Sequence, residues 1–373
     1  MTRRPLGILH TESSIGWGGQ EIRILTEAQG MLRRGHRITL LTPPEALILP
    51  AAQKMGLPVV ALPIGKKSLG ALAVLRRWLA ANGRDFDVIN MHSSTDSWLS
   101  ALACRTLRDM PPLIRTRHVS TPVHNTLPTR WLYLRATAHI VTAGEALRQQ
   151  LHRDNRFPLK HMTSVPTGID LARFQPRDQA AARRKLGLAD LPTLGIVATL
   201  RDWKGHAYLL EAFGQLRARF PEWQLLVVGD GPMREILEQQ TRDRRLDDRV
   251  RLVGNRDDVE LWLNALDLFV LPSYGEEGVP QGIMQAMACG LAVVSTPVGA
   301  IREAVVDGET GVLVEPRNSD ALAQGLARLM SDAAQRRQMG EAGMRRAQAR
   351  FGIDGMLDRM EAVFYRFARR EAA

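Results

Sequence analysis

The chain has 373 residues, of which 45% are hydrophobic and 24% charged, a composition typical of a folded globular protein. Its length exceeds one ordinary α/β core and suits two domains. The two cysteines cannot build a disulfide framework, and no stretch reaches the roughly 18 apolar residues of a membrane span. The apolar run at residues 5–9 is too short for the core of a signal peptide, so we expect a cytoplasmic protein.

The net charge of +11 is confined to the N-terminal part of the chain. Residues 1–170 contain 22 Lys and Arg against 11 Asp and Glu, whereas residues 171–373 contain 28 of each. A bias of this kind suggests an anionic partner, either an acidic membrane surface or a phosphorylated glycolipid, with solubility alone as the alternative. No nucleic-acid-binding module is visible and aromatic residues make up only 5%, so nucleic acid is not expected.

Short β-rich runs alternate with helical patterns along the chain. Strands are predicted at 6–10, 37–41, 59–62, 88–91, 113–117, 140–142 and 163–165, and then at 193–198, 224–228, 250–253, 268–271, 292–295 and 311–314. Helices are predicted at 20–34, 69–82, 145–153, 205–220, 233–243, 281–289 and 320–330. Residues 167–190 interrupt the alternation and are interpreted as a linker. This pattern predicts an α/β protein with two Rossmann-like domains and parallel sheets.

We expect an N-terminal domain at 1–170 and a C-terminal domain at 171–352. A tail helix at 353–373 has apolar residues at helical spacing. Ligands of two such α/β domains bind at the carboxyl ends of the strands, in a cleft between the domains.

The strongest local signal follows the predicted strand at 268–271. A glycine-rich acidic loop leads to a helix that begins after Pro280, and proline suits a first helical turn. The amides of Gln281 and Gly282 would bind an anion such as a diphosphate, because helix N-termini attract negative charge. Glu277 on the loop could accept hydrogen bonds from sugar hydroxyls, and Gln285 could bind ribose. The alternative is a solvated loop before a capped helix.

A basic turn follows the strand at 193–198. Arg201 and Lys204 lie just before a helix, where two cations suit a diphosphate. An exposed basic turn without a ligand is the alternative interpretation.

Two further signals lie in the N-terminal part. The run from Gly16 to Gln20 places Gly18 and Gly19 after the first strand, where glycines allow a ligand to approach the backbone, although the spacing is not the dinucleotide fingerprint. His118 follows the strand at 113–117, although a lone histidine is more often structural. Asp85 and Asp87 resemble a metal motif of some sugar transferases but precede their strand, so we expect them to face away from the ligand.

Together these motifs resemble glycosyltransferase family 4, whose members have the GT-B fold. The resemblance runs through Gly18-Gly19, Arg117-His118, Lys204-Gly205, residues 228–232 and 271–277, residues 297–299 and residues 307–311. It implies a retaining transferase that uses a nucleoside-diphosphate sugar, a UDP- or GDP-sugar, without an obligatory metal or other cofactor.

The resemblance also implies roles for individual residues. Glu277 matches the glutamate that contacts the donor sugar, Lys204 the lysine that holds the diphosphate, and His118 the histidine near the donor hexose. Gly18 and Gly19 match a loop that closes over donor and acceptor, and Arg256 falls in the segment whose backbone contacts the base. The resemblance also implies that the tail helix at 353–373 packs back on the N-terminal domain.

Two positions depart from the family pattern. The second glutamate of the family's E-x7-E motif is Gln285, and the usual arginine after the strand is Thr199, for which Arg201 could substitute. Because both replacements keep hydrogen-bonding capacity, we interpret the donor site as a variant one that is still active.

The expected acceptor is a glycolipid or oligosaccharide of lipopolysaccharide or another cell-envelope polysaccharide. The basic first domain predicts peripheral association with the cytoplasmic face of the inner membrane. Residues 69–79 are one candidate contact, and a partly buried helix is the alternative interpretation of this segment. The alternatives are a nucleotide-sugar epimerase of the same fold and a non-catalytic nucleotide-sugar-binding protein. The missing fingerprint argues against a dehydrogenase.

Overall fold

The computed structural model describes residues 4–119, 121–275 and 277–369. It divides into two compact units. Unit 1 comprises the chain up to Gly168 together with the segment from Ile353, and unit 2 is Ile169–Gly352.

Within the described residues, unit 1 contains a seven-stranded parallel sheet in the order β3-β2-β1-β4-β5-β6-β7. Its strands are β1 Gly7–Thr11, β2 Arg37–Thr42, β3 Val59–Ala61, β4 Val88–Met91, β5 Leu113–Arg117, β6 His139–Thr142 and β7 Met162–Ser164. The helices of unit 1 that precede unit 2 are α1 Gly19–Arg33, α2 Ile48–Lys54, α3 Leu69–Asn82, α4 Ser94–Arg105, α5 Leu127–Trp131 and α6 Glu145–Asn155.

The central strands of this sheet are buried along their whole length. Every residue of β1, β4 and β5 is buried, as expected of parallel strands that helices cover on both faces. The strand order reverses between β1 and β4, which are neighbours although β2 and β3 separate them in sequence. In open α/β sheets ligands bind at the carboxyl ends of the strands at such a reversal.

Unit 2 contains a six-stranded parallel sheet within the described residues, in the order β10-β9-β8-β11-β12-β13. Its strands are β8 Thr193–Val197, β9 Gln224–Val228, β10 Val250–Gly254, β11 Leu268–Leu271, β12 Val293–Ser295 and β13 Gly311–Leu313. Its helices are α7 Gln179–Leu186, α8 His206–Leu216, α9 Arg234–Asp243, α10 Val259–Asn264, α11 Gln281–Ala288, α12 Ile301–Ala304, α13 Ser319–Ser331 and α14 Ala333–Arg350. Here the order reverses between β8 and β11.

The chain after unit 2 forms helix α15, Ile353–Phe367, which packs in unit 1. Its apolar stripe is the buried face, because Met356, Met360 and Phe364 belong to the core of unit 1. The contact with α1 is close, since a Cβ on Gly30 would lie 2.4 Å from Cδ1 of Leu357. Residues 370–373 of the expected tail lie outside the described residues.

The prediction of two α/β units with parallel sheets is confirmed. The predicted strands agree with the observed ones to within a residue at each end. The segment 167–190 is not an open linker, however, because most of it is folded into unit 2. In this segment Arg183 of α7 is buried and donates to Oδ2 of Asp267 at 2.6 Å. Arg183, although part of a charged helix, forms ion pairs with Asp190 and Asp267.

No helix among the described residues combines the length and the apolar character that a membrane span needs.

Candidate functional site

The strand reversal of unit 2 brings together the loops that follow β8 and β11. Nζ of Lys204, from the first loop, lies 2.6 Å from Oε1 of Glu277, from the second. Ser273 donates its hydroxyl to the same oxygen at 2.7 Å. Both side chains of the ion pair are largely buried, with 16% of Lys204 and 10% of Glu277 exposed.

This pair leaves binding capacity on both groups. An ammonium group has three donors, and one of those of Lys204 goes to Glu277. Oε2 of Glu277 takes part in no hydrogen bond with another described residue. The pair therefore offers a cation for an anionic ligand and a carboxylate oxygen for a hydroxyl group.

A tight turn holds Lys204 in this position. The residues Asp202–Lys204 form one turn of 3-10 helix, and Gly205 then takes a φ of +78°. A Cβ at Gly205 would lie only 2.1 Å from the carbonyl oxygen of Pro272. Glycine is required here both for the backbone angle and for the contact, which joins the two loops.

Helix α11 begins directly after the loop that contains Glu277. Pro280 is its N-cap residue in an extended conformation, and Gly282 sits so close to β8 that a Cβ there would lie 2.6 Å from the carbonyl oxygen of Val197. The first amides of a helix have no partners within the helix and attract anions. Gln285, half-buried, follows one turn later on the same helix.

Thr199 and Arg201 lie on the loop after β8. The amide of Arg201 donates to the carbonyl oxygen of Thr199 at 2.8 Å, and the exposed guanidinium of Arg201 lies 5.1 Å from the ring centre of Trp203. Both residues therefore lie on the same loop as Lys204.

Arg256 is farther along the same edge of the sheet. It follows β10, the outermost strand, and its guanidinium lies 5.3 Å from the ring centre of Trp262. No hydrogen bond or ion pair between described residues joins Arg256 to Lys204 or Glu277.

In unit 1, His118 is the outer member of a chain of three histidines. Nε2 of His118 lies 3.0 Å from Nδ1 of His92, and Nε2 of His92 lies 2.9 Å from Nδ1 of His10. The rings are stacked, with centroids 5.2 Å apart in both pairs. Burial lowers the pKa of His10 to about 4 and holds the pKa values of His92 and His118 well below the usual range.

The buried carboxylate of Glu12 holds the glycine turn of unit 1 in place through hydrogen bonds. Gly18 is the N-cap residue of α1, which begins at Gly19. Glu12, directly after β1, accepts hydrogen bonds from the amide of Ser14 at 2.6 Å and from the side chain of Gln20 at 2.5 Å, on either side of the turn. Burial, reinforced by the negative charge of Asp96, raises the pKa of Glu12.

Asp87 lies at the amino side of β4 and accepts a hydrogen bond from Arg4 at 2.7 Å and from the amide of Gly7 at 2.7 Å. It fixes the start of β1. Among the described residues there is no group of three or more His, Cys, Asp or Glu side chains that could hold a metal ion.

Several residues of these two clusters were not predicted from the sequence. Ser273, His10, His92 and Glu12 were not singled out. The strand order explains why the histidines meet. β1, β4 and β5 are adjacent in the sheet, and each has a histidine close to its carboxyl end. Sheet order is not visible in the spacing of motifs along the chain.

Two family models match the chain and together cover most of it. "Glycosyltransferase Family 4" matches residues 17–173 and "Glycosyl transferases group 1" matches residues 191–332.

Named relatives agree with these matches. A phosphatidyl-myo-inositol mannosyltransferase of Mycolicibacterium smegmatis is 30% identical, over 84% of this chain and 82% of the relative. A lipopolysaccharide core biosynthesis mannosyltransferase, LpcC, of Rhizobium leguminosarum bv. viciae is 29% identical, over 64% of this chain and 67% of the relative.

Among solved structures, that of Anabaena HepE in complex with UDP and glucose matches 97% of this chain and all of that chain with a TM-score of 0.85. At 22% identity this likeness shows the fold, and it agrees with the GT-B fold expected from the motifs. The chain belongs to glycosyltransferase family 4 and is a glycosyltransferase with the GT-B fold.

Proposed function

We propose that this glycosyltransferase uses a UDP- or GDP-sugar as donor and transfers the sugar with retention of its anomeric configuration. The observation that carries the proposal is the ion pair of Lys204 and Glu277 beside the first turn of α11. A pyrophosphate and a hexose are the two halves of a ligand that such a cation, carboxylate and helix start would bind. The name of the Anabaena structure, which contains UDP and glucose, supports the same class of donor.

We assign the donor pyrophosphate to Lys204, Arg201 and the amides of Gln281 and Gly282. Glu277 accepts hydrogen bonds from sugar hydroxyls through Oε2, which makes none within the described residues. Gln285 binds the ribose, and Thr199 and Arg256 lie along the nucleotide. In unit 1 we assign His118 to the donor hexose and the turn at Gly18 and Gly19 to ligand binding, the roles that the family resemblance implies.

The reaction transfers the sugar in one bond exchange. The acceptor hydroxyl oxygen forms a bond to the anomeric carbon on the face from which the diphosphate leaves. The bond between that carbon and the phosphate oxygen breaks, its electron pair goes to the diphosphate, and a phosphate oxygen takes the hydroxyl proton. Lys204 and the helix amides stabilise the growing negative charge without reorganisation.

The test of the donor site compares the only two lysines of residues 169–352. Lys204→Ala is expected to lower turnover at least tenfold, since a charge-assisted hydrogen bond contributes roughly 1.5–3 kcal/mol. Lys185→Ala, at an exposed position on α7, is the matched control. Thermal shifts with a panel of UDP- and GDP-sugars identify the donor, because a bound ligand stabilises the folded state. Equal activity of the two variants would overturn the assignment.

Retention is tested separately by the anomeric configuration of the product. With an α-linked donor, NMR of the first product formed should show an α-linkage. A β-linked product would contradict the proposed stereochemistry while leaving the donor site intact. Formation of an epimerised sugar from the donor in the absence of any acceptor would instead identify an epimerase.

We further propose that unit 1 binds a lipid-linked or glycan acceptor at the cytoplasmic face of a membrane. The names of two relatives, which act on phosphatidyl-myo-inositol or in lipopolysaccharide core synthesis, support this class of acceptor. At the start of α3, Leu69 is 86% exposed and lies two residues after Lys67, the second of the exposed lysines Lys66 and Lys67. An apolar side chain beside cations suits an anionic lipid surface.

Vesicle flotation tests this surface. The protein should float with phosphatidylglycerol vesicles at low salt, and Leu69→Glu should reduce the bound fraction several-fold. Ile236→Glu, at an exposed apolar residue on α9 of unit 2, is the control. Equal flotation of both variants would show that this part of α3 does not contact the membrane.

A further inference from the structure

The three histidines of unit 1 form one continuous hydrogen-bonded row. His10 is in β1, His92 follows β4 and His118 follows β5, and these three strands are neighbours in the sheet. The two nitrogen–nitrogen distances, 2.9 and 3.0 Å, are those of good hydrogen bonds. The row runs from a completely buried ring, His10, to a half-buried one, His118.

All three rings are neutral near pH 7, because burial is the largest cause of the lowered pKa of each. Nearby arginines act in the same direction: Arg23 on His92 and His118, and Arg117 on His118. A neutral imidazole has one N–H donor and one lone pair. The row can therefore have only two arrangements, with every N–H pointing either outward or inward.

The inner end of the row favours one arrangement. Nε2 of His10 is buried and has no hydrogen-bond partner among the described residues, and the ring next to it is that of Phe364, 6.4 Å away between centroids. If the N–H groups pointed inward, Nε2 of His10 would carry a buried proton without an acceptor. Orphaned buried N–H groups are rarer in proteins than acceptors with an unused lone pair.

We propose that this row fixes His118 as the tautomer protonated at Nδ1, so that His118 is a hydrogen-bond donor at its outer nitrogen. His92 is the positioning residue, since it donates from its own Nδ1 to Nε2 of His118. Nδ1 of His118 makes no hydrogen bond within the described residues and is the atom that remains for a ligand. The inference rests on the proposed function in one respect, the contact of His118 with the donor hexose.

The consequence for the ligand is specific. An N–H at Nδ1 needs a lone pair as its acceptor, so His118 would donate a hydrogen bond to an oxygen of the sugar. Outside the row, a histidine in water exchanges between both tautomers and would offer the N–H only part of the time. The row thus makes His118 a ready donor before the ligand arrives.

The tautomer can be measured directly in the wild-type protein. Two-bond 15N–1H NMR spectra of protein labelled only at histidine distinguish protonated from unprotonated ring nitrogens at pH 7.5, and the His118 signals are identified by their loss in His118→Gln. The expected result is a protonated Nδ1 and an unprotonated Nε2. A protonated Nε2, as would follow if His10 donated to the face of Phe364, would overturn the proposal.

Two variants test the row itself. His10→Phe keeps an aromatic ring and leaves Nε2 of His92 as the inner end, so the tautomer of His118 should be unchanged. His92→Phe removes the donor to His118, whose spectrum should then show a mixture of tautomers. An unchanged tautomer in His92→Phe, or a reversed one in His10→Phe, would contradict the positioning role of His92.

Activity gives a second readout. His92→Phe should lower kcat/KM roughly tenfold, the equivalent of one hydrogen bond. His92→Gln should recover most of this, because its amide can accept from His10 and donate to His118. If His118→Gln leaves kcat/KM unchanged, the contact of His118 with the donor is wrong, while the NMR result still decides the tautomer. If His92→Phe does not fold, the wild-type spectrum and His92→Gln remain decisive.

Discussion

Glu277 is held through its backbone by Gly299. The carbonyl oxygen of Glu277 accepts a hydrogen bond from the amide of Ala300 at 3.0 Å, and a Cβ on Gly299 would lie 2.1 Å from that same oxygen. Gly299 has a φ of +54°, in the left-handed region. The loop after β12 thus sets the position of the carboxylate that we assign to the donor sugar.

Gly299→Ala is expected to weaken donor binding at least tenfold, because the new methyl group must displace the backbone of Glu277. A second effect, common to any alanine at positive φ, is a loss of about 1 kcal/mol of stability. Isothermal titration calorimetry with the nucleoside-diphosphate sugar measures the first effect, and chemical denaturation measures the second.

Gly308→Ala separates the two effects. Gly308 also lies in unit 2 and has a φ of +76°, but a Cβ there meets no atom within 4 Å. It should lose only the stability that an alanine at positive φ costs, about 1 kcal/mol, and keep the affinity for the donor. Similar donor affinities in the two variants would show that the contact of Gly299 with Glu277 does not matter for binding.

Gln285 stands where the family has a glutamate, and its effect is predicted to be one of hydrogen bonding and not of charge. Gln285→Ala should lower donor affinity about tenfold through the loss of bonds to the ribose, worth about 1.4 kcal/mol. Gln285→Glu should bind within about threefold of wild type, because a carboxylate accepts from two hydroxyls. Calorimetry with the donor measures both, and Gln239→Ala, exposed on α9, is the control. A large loss in Gln285→Glu would show that the amide N–H is needed.

Arg201 is predicted to replace the family arginine that is absent at Thr199. Arg201→Ala should lower kcat/KM by about tenfold, since a charge-assisted hydrogen bond to the diphosphate is lost. Adding Thr199→Arg to this variant should restore activity, because the two residues share one loop and their backbones are hydrogen-bonded.

The control for the Arg201 experiment removes a similar contact elsewhere. Arg219 lies 5.1 Å from the ring centre of Phe220, as Arg201 does from Trp203. Arg219→Ala should leave steady-state turnover unchanged. A loss of the same size in Arg219→Ala would mean that covering an aromatic ring, and not binding the diphosphate, explains the result.

The sequence was sufficient to predict the strands of both units and their α/β class. Strand-helix alternation indicated parallel sheets, and loops at strand ends pointed to Lys204 and Glu277, which the structure brings to 2.6 Å. These residues could be found because each lies within a few residues of its own strand. Their short distance from a strand, and the rule that ligands bind at the carboxyl ends of parallel strands, were enough to identify both residues.

What the sequence could not supply was the contact between distant segments. Ser273 and Lys204 share one oxygen of Glu277, and His10 lies next to His92 only because β4 inserts beside β1. Arg183 reads as a surface residue of a charged helix, yet it is buried against Asp267. In each case tertiary pairing decides the environment of a polar side chain, and periodicity contains no information on that pairing.

The buried His10 gives a prediction for acid stability. Its pKa is about 4 in the folded protein, against a usual value of 6.5, because burial disfavours the charged ring. Between these values the unfolded chain binds a proton at this position that the folded chain does not. The stability that His10 contributes is therefore complete above pH 6.5 and is lost as the pH falls toward 4.

His10→Phe should remove this proton uptake and reduce the acid sensitivity of unit 1 by about 1.4 kcal/mol per pH unit within that window. The packing of Phe364 against the ring at position 10 favours an aromatic replacement. Hydrogen exchange of the buried amides of β1, measured between pH 4.5 and 6.5 and corrected for intrinsic rates, reports the unfolding free energy of this unit. His124→Phe, at an exposed histidine of the same unit, should keep the wild-type dependence. The same pH dependence in both variants would mean that burial does not lower the pKa of His10 in the folded protein.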